Sequence, residues 1–152
     1  MDVTIAQEDP AEPDVLALLH NGHANSARLY SSKRGHSLSI DALRAPEVRL
    51  LVARDLNGRA LGTGAVVLNG DWAEIKRMWV EEDARGRGLA KKLLKELTQI
   101  AQEGGASVLR LEAGVLGYAA LALYKTAGFR QRQPFGSHSA NPLSSFWEKH
   151  LP

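Results

Sequence analysis

The order of residue types predicts a mixed α/β fold built on a mostly antiparallel sheet flanked by helices, and three observations carry that expectation. Asn57-Gly58 lies between two apolar, alternating runs, Val48 to Arg54 and Ala60 to Leu68, which is the pattern of a hairpin. A second turn, Asn69-Gly70-Asp71, feeds a third strand, Trp72 to Val80. Beyond it the chain reads helix, strand, helix, strand, so three antiparallel strands come first and a regular βαβ repeat is excluded.

Taken in order, Val3 to Ala6 reads as a short opening strand. Pro10 and Pro13 sit where a helix can begin, with Val15, Leu16, Leu18 and Leu19 as its buried side. His20, Asn21, Gly22 and His23 form an HxxH spacing without a third ligand; polar caps or surface histidines have that spacing more often than metal ligands, and no metal is expected. Tyr30, Ser31, Ser32, Lys33 and Arg34 read as a polar, flexible stretch, either an exposed loop or part of a pocket wall. His36 to Leu43 precedes Pro46, and the hairpin strands follow.

After the apolar segment Ile75 to Val80 come an acidic loop, Glu81 to Asp83, and the sequence RGRGLA, Arg85 to Ala90. Leu89, Ala90, Leu93, Leu94, Leu97, Ile100 and Ala101 recur every three or four residues and so share one face of a helix. Gly104-Gly105 stop that helix, Ser107 to Glu112 is a further strand, and Tyr118 to Ala127 is a second helical run closing on Gly128-Phe129. The tail, Arg130 to Leu151, reads as a loop followed by a last strand.

Composition bounds what such a chain does. Its 152 residues suit one domain, 1–152, long enough to bury roughly two thirds of the unfolded surface. Apolar and charged fractions of 44% and 24% are those of a globular protein, and no apolar run nears the roughly 18 residues of a membrane span. The acidic, proline-bearing opening does not read as a secretory leader. With no cysteine there are no disulfides, thiolate nucleophiles or cysteine metal sites, as suits a reducing cytoplasm. A net charge of +2, with the basic residues gathered near RGRGLA, gives no case for nucleic acid.

RGRGLA is where the sequence points to chemistry. Glycines at a helix mouth let backbone approach a ligand, and the first helical N–H groups have no internal partner, so the spot attracts anions. Arg85 and Arg87 add charge, and Lys91, Lys92 and Lys95 extend it along the helix. A tight turn beside a solvated lysine face reads equally well on these residues alone. The spacing fits neither a Walker loop nor the GxGxxG of a dinucleotide fold.

Arg85, Gly88 and Ala90 do fit Arg/Gln-x-x-Gly-x-Gly/Ala, and with the preceding strand and the later AALALYKTAGF the chain strongly resembles the GNAT family of N-acetyltransferases. The resemblance implies the GNAT fold, whose central sheet carries a splayed pair of strands, and acetyl-CoA as co-substrate. It implies main-chain contacts to the pantetheine arm from Met78 and Val80, and a diphosphate cradled by Arg85, Gly86, Arg87, Gly88, Leu89 and Ala90. Glu74 stands where several members carry a general base, or it pairs with Lys76, Arg77 or another cation. Tyr124 matches the tyrosine that protonates the departing thiolate in LY-x-x-x-GF, or it is a core aromatic beside Leu121 and Leu123.

Two positions depart from the pattern: Gly117 replaces a frequent asparagine, and His138 replaces a frequent tyrosine within the tail motif FGSHSANPLSSFWEK. The implied activity is acetyl transfer to a primary amine of a small molecule or peptide, the alternative being a non-catalytic acyl-CoA binding or sensing module. Neither a membrane nor a nucleic acid is expected as partner. Dimers are common in the resembled family, so a homodimer is open.

Overall fold

The computed structural model describes residues 2–30 and 39–152. Seven strands, β1 (Val3–Gln7), β2 (Val48–Asp55), β3 (Ala60–Asn69), β4 (Trp72–Val80), β5 (Val108–Gly114), β6 (Arg130–Arg132) and β7 (Ser144–His150), join three helices, α1 (Pro13–Tyr30), α2 (Leu89–Glu103) and α3 (Tyr118–Thr126). The sheet order is β1-β2-β3-β4-β5-β7-β6. Every neighbouring pair is antiparallel except β4 with β5. The expected mixed sheet is therefore present, with the helix-linked β4 and β5 as its one parallel step.

Two expectations need correction. The tail contributes an extra strand, β6, because Arg130, Gln131 and Arg132 pair with Glu148, Trp147 and Phe146 of β7; three polar residues carry no readable period, and only the partner makes them a strand. Tyr30 is not in a flexible polar stretch but is the buried last residue of α1. Ser31 to Arg34, and His36 to Leu38, lie outside the described residues.

Alternation in the strands sorts the core onto two faces. In β2, Val48, Leu50 and Val52 pack with Val15 and Leu19 of α1 and with Leu43, while Leu51 and Ala53 join the cluster containing α2. With both faces covered, Leu50 to Ala53 are all buried, so the alternation of β2 gives way to four successive apolar residues at its middle. On α2 the stripe Leu89, Leu93, Leu94, Leu97 and Ala101 is buried, each leucine contributing about 1.5–3 kcal/mol of transfer free energy.

A bulge sets up the rest. Thr63 of β3 pairs with Trp79 and Ala65 pairs with Lys76, so Arg77 and Met78 together face Gly64. Arg77 takes up the extra residue at φ 57°, the one positive φ outside glycine among the described residues, and Thr63 Oγ1 donates to its carbonyl at 2.9 Å. Gly64 leaves room for its neighbours, since a Cβ there would lie 2.7 Å from Met78 Sδ and 2.8 Å from Leu97 Cδ1 and push both side chains aside. The bulge bends β4, and pairing with β5 stops at Ile75 with Leu111. This is the splay the resemblance implied.

Away from the splay, charged side chains tie the edges. Arg54 of β2 bonds Glu8 and Asp14, joining β1 and α1, and its bond to Asp14 holds that carboxyl below its usual range. Glu148 of β7 accepts from Arg110 Nε at 2.9 Å and from Arg132, across three strands. Burial alone would raise the Glu148 carboxyl, but the two guanidinium groups outweigh it and hold it low. A lowered folded pKa means stability that is present above the unfolded value of 4.5 and lost as pH falls through the folded one. Glu148→Gln is accordingly expected to cost about 1–3 kcal/mol at neutral pH. In urea unfolding, the gap from wild type should close steadily below pH 4.5.

Candidate functional site

Between the parted strands lies a cleft of about 340 Å³, walled by β4 from Glu74 to Trp79, by Glu112 to Gly114 of β5, by the C-terminal half of α1, and by Ala120 and Tyr124 of α3. Helix α1 reaches both sides. Asn21 Nδ2 donates to Glu81 Oε1 at 2.9 Å just past β4, and Trp79 Nε1 donates to Glu81 Oε2 at 3.2 Å. At its other end the Tyr30 hydroxyl accepts from the Leu116 N–H at 3.0 Å, beyond β5. Gly114 makes room for that ring, since a Cβ there would fall 2.0 Å from the phenol oxygen.

Glu74 lies in the cleft wall and is 9% exposed. Its Oε2 accepts from Lys76 Nζ at 3.2 Å and meets His138 Nε2 at 2.9 Å. The anticipated pairing with Lys76 is therefore present, and His138 joins it from the tail. Tyr124 is buried against Phe129, ring centroids 5.7 Å apart, yet it also lines the cleft. The expected core aromatic is therefore present, and it also borders the cavity. Gly117, at the start of α3, lines the same space.

At the far end of β4, Arg85 to Ala90 form the mouth of α2 as expected. Gly86 and Gly88 have φ of 77° and 78°, where side chains are strained, and a Cβ on either would meet nothing within 4 Å. Lys92 N–H to Gly88 C=O, 3.0 Å, is the first bond of the helix, so the amides of Leu89, Ala90 and Lys91 point out of its open end. The acidic loop before it is held clear: Arg59 grips Asp83 through bonds of 2.8 and 2.9 Å, which keep that carboxyl below its usual range. Open space, outward amides and local positive charge fit a diphosphate.

Met78 and Val80 lie on the part of β4 that has left β5, where the strand edge is not committed to the ladder. Arg85 folds back instead of reaching into solvent: its Nε donates to the Val80 carbonyl at 3.0 Å and its guanidinium lies 4.9 Å from the Trp79 ring centre. That carbonyl is thus already engaged within the chain. Arg77, one of the partners expected for Glu74, and His23, of the HxxH spacing, also line the cleft, and burial lowers the Arg77 pKa. No local pattern marks them as cleft residues, because the bulge and the long α1 put them there. Among the described residues no three His, Cys, Asp or Glu side chains gather as a metal site.

Known proteins agree with this arrangement. The sequence model of the acetyltransferase (GNAT) family matches residues 17–129. An IAA acetyltransferase of Azospirillum brasilense is 38% identical over 152 residues, covering 99% of both chains. A Klebsiella pneumoniae protein provisionally assigned as an acyl-CoA N-acyltransferase superimposes with a TM-score of 0.83 at 33% identity, over 98% of this chain and 97% of that one. The fold is shared too by the PaiA N-acetyltransferase of Thermoplasma acidophilum in complex with coenzyme A, with a TM-score of 0.76 and 16% identity over 99% and 100% of the two chains. With its splayed strands, glycine-lined helix mouth and family match, the chain belongs to the acetyltransferase (GNAT) family of acyltransferases.

Proposed function

We propose that residues 1–152 act as one catalytic domain that moves the acetyl group of acetyl-CoA to a primary amine of a small molecule or peptide, by direct attack within the β4–β5 cleft. The observation that carries this reading is the meeting of two carboxylate- and phenol-bearing walls, Glu74 on β4 and Tyr124 on α3, in one cavity below the α2 mouth. Acetyl-CoA supplies an activated acyl carbon and a thiolate leaving group. The chain's own residues supply the remainder.

The amides of Leu89, Ala90 and Lys91, with Arg85, Gly86, Arg87 and Gly88, hold the diphosphate, and the stretch of β4 at Met78 and Val80, which is not paired with β5, guides the arm into the cleft. An acceptor arriving as an ammonium must lose a proton before its nitrogen can attack, and of the carboxylates that line the cleft, Glu74 and Glu112, it is Glu74 that takes it. The Tyr124 hydroxyl gives a proton to the departing sulfur. Tyr124's packing on Phe129 fixes the ring, so the donor is already oriented when the bond breaks.

The test is release of free CoA from acetyl-CoA across a panel of primary amines and peptides, with IAA included because the Azospirillum relative is named for it. Binding without release for any acceptor would make the domain a sensing module. Tyr124→Phe is expected to lower kcat by roughly 10²-fold or more while acetyl-CoA affinity holds, whereas equal loss in both would assign the ring to packing. Glu74→Gln should lower kcat/KM comparably and remove the acid limb of its pH profile; an unchanged limb discards the base. Gly88→Val is expected to leave the thermal melt within a few degrees, for about 1–2 kcal/mol of left-handed strain, and to abolish acetyl-CoA binding in calorimetry. Retained binding would remove the diphosphate from the α2 mouth.

A further inference from the structure

We propose that His138 is a positioning residue for acyl transfer, which holds the Glu74 carboxylate so that one oxygen is committed inside the protein and the other is presented to the acceptor amine. This inference rests on the reading of Glu74 as the base. Both hydrogen bonds to that carboxylate fall on Oε2, from His138 Nε2 at 2.9 Å and Lys76 Nζ at 3.2 Å. With a cation already donating to Oε2, the imidazole partner donates as well, so His138 carries its proton on Nε2. Oε1 is then the oxygen available to the cleft that Glu74 lines.

His138 is itself held. Its side chain is 13% exposed, against 11% for Glu74, so water competes little for the bond. The ring packs 4.9 Å from Phe135 and 5.6 Å from Phe146, centroid to centroid. Phe135 in turn meets Trp72 edge-on at 5.7 Å, on the strand that carries Glu74, and Phe146 at 5.9 Å, on β7. The His138 N–H donates to the Phe135 carbonyl at 3.0 Å, closing a turn that points the ring at β4. The loop between β6 and β7 therefore carries an aromatic box around His138, whose Nε2 meets Glu74. His138 does not line the cleft, so it acts through the carboxylate and not on the acceptor.

The experiment is steady-state CoA release by the full chain, using the amine turned over fastest in the panel, or water as acceptor if no amine serves. His138→Phe keeps a ring in the box and removes the donor; His138→Tyr keeps a ring and restores a hydroxyl donor. The phenylalanine variant is expected to lose kcat on the order of 10-fold, as outer-shell donors do elsewhere, with its melt and acetyl-CoA Kd unchanged, and the tyrosine variant to recover most of it. Wild-type kcat in His138→Phe, or equal loss in both variants together with a lowered melt, overturns the proposal. Glu74→Gln separates the failures. If that variant is also fully active the base reading falls, whereas if it is inactive while His138→Phe is not, only the role of His138 falls.

Discussion

The geometry of the cleft depends on one extra residue in β4. Because Arg77 and Met78 share the single partner Gly64, the strand turns away from β5 after Ile75, and everything that follows inherits that departure. Without the bulge, parallel pairing would continue and the edge of β4 would be spent on β5, leaving no free backbone and no cavity. The cost of a left-handed arginine, on the order of 1 kcal/mol, is small beside the core that fixes it. Leucines of α2 press on Gly64 from one face, and the Thr63 hydroxyl holds the Arg77 carbonyl.

From that point two kinds of chemistry separate along β4. Toward the strand's end, the chain turns through Arg85 to Ala90 and offers outward amides to an anion. Toward its start, Glu74 sits among side chains drawn from β4 itself and from the tail. Glu74 lies near the start of β4 and Arg85 to Ala90 lie just past its end, so one strand sets the distance between the two regions. Rigid placement of this sort is worth more to a two-substrate transfer than any single contact, since it replaces a costly encounter by a held geometry.

Much of this was legible in the residue order, and the exceptions have physical reasons. Hairpin signals at Asn57-Gly58 and Asn69-Gly70, the stripe on α2 and the glycines before it are local patterns, and the strands and helix stand where they read. The splay was inferred from resemblance; nothing in WAEIKRMWV declares that Arg77 will adopt a positive φ, because a bulge is decided by what lies across the ladder. Tyr30 reads either as exposed loop or as pocket wall, since its partner Gly114 is remote in sequence, and it lines the cleft. His138 stood out as a departure, yet its bond to Glu74 needed the fold to bring tail and strand together.

Helix α1 spans the opening as a strut. Fastened to the end of β4 through Asn21 and Glu81, and to the loop beyond β5 through the Tyr30 phenol, its C-terminal half fixes the distance between the two jaws. A hydrogen-bonded helix hardly stretches, so the aperture behaves as a gauge of set bore. Inserting or deleting residues between Asn21 and Tyr30 would therefore shift one jaw against the other.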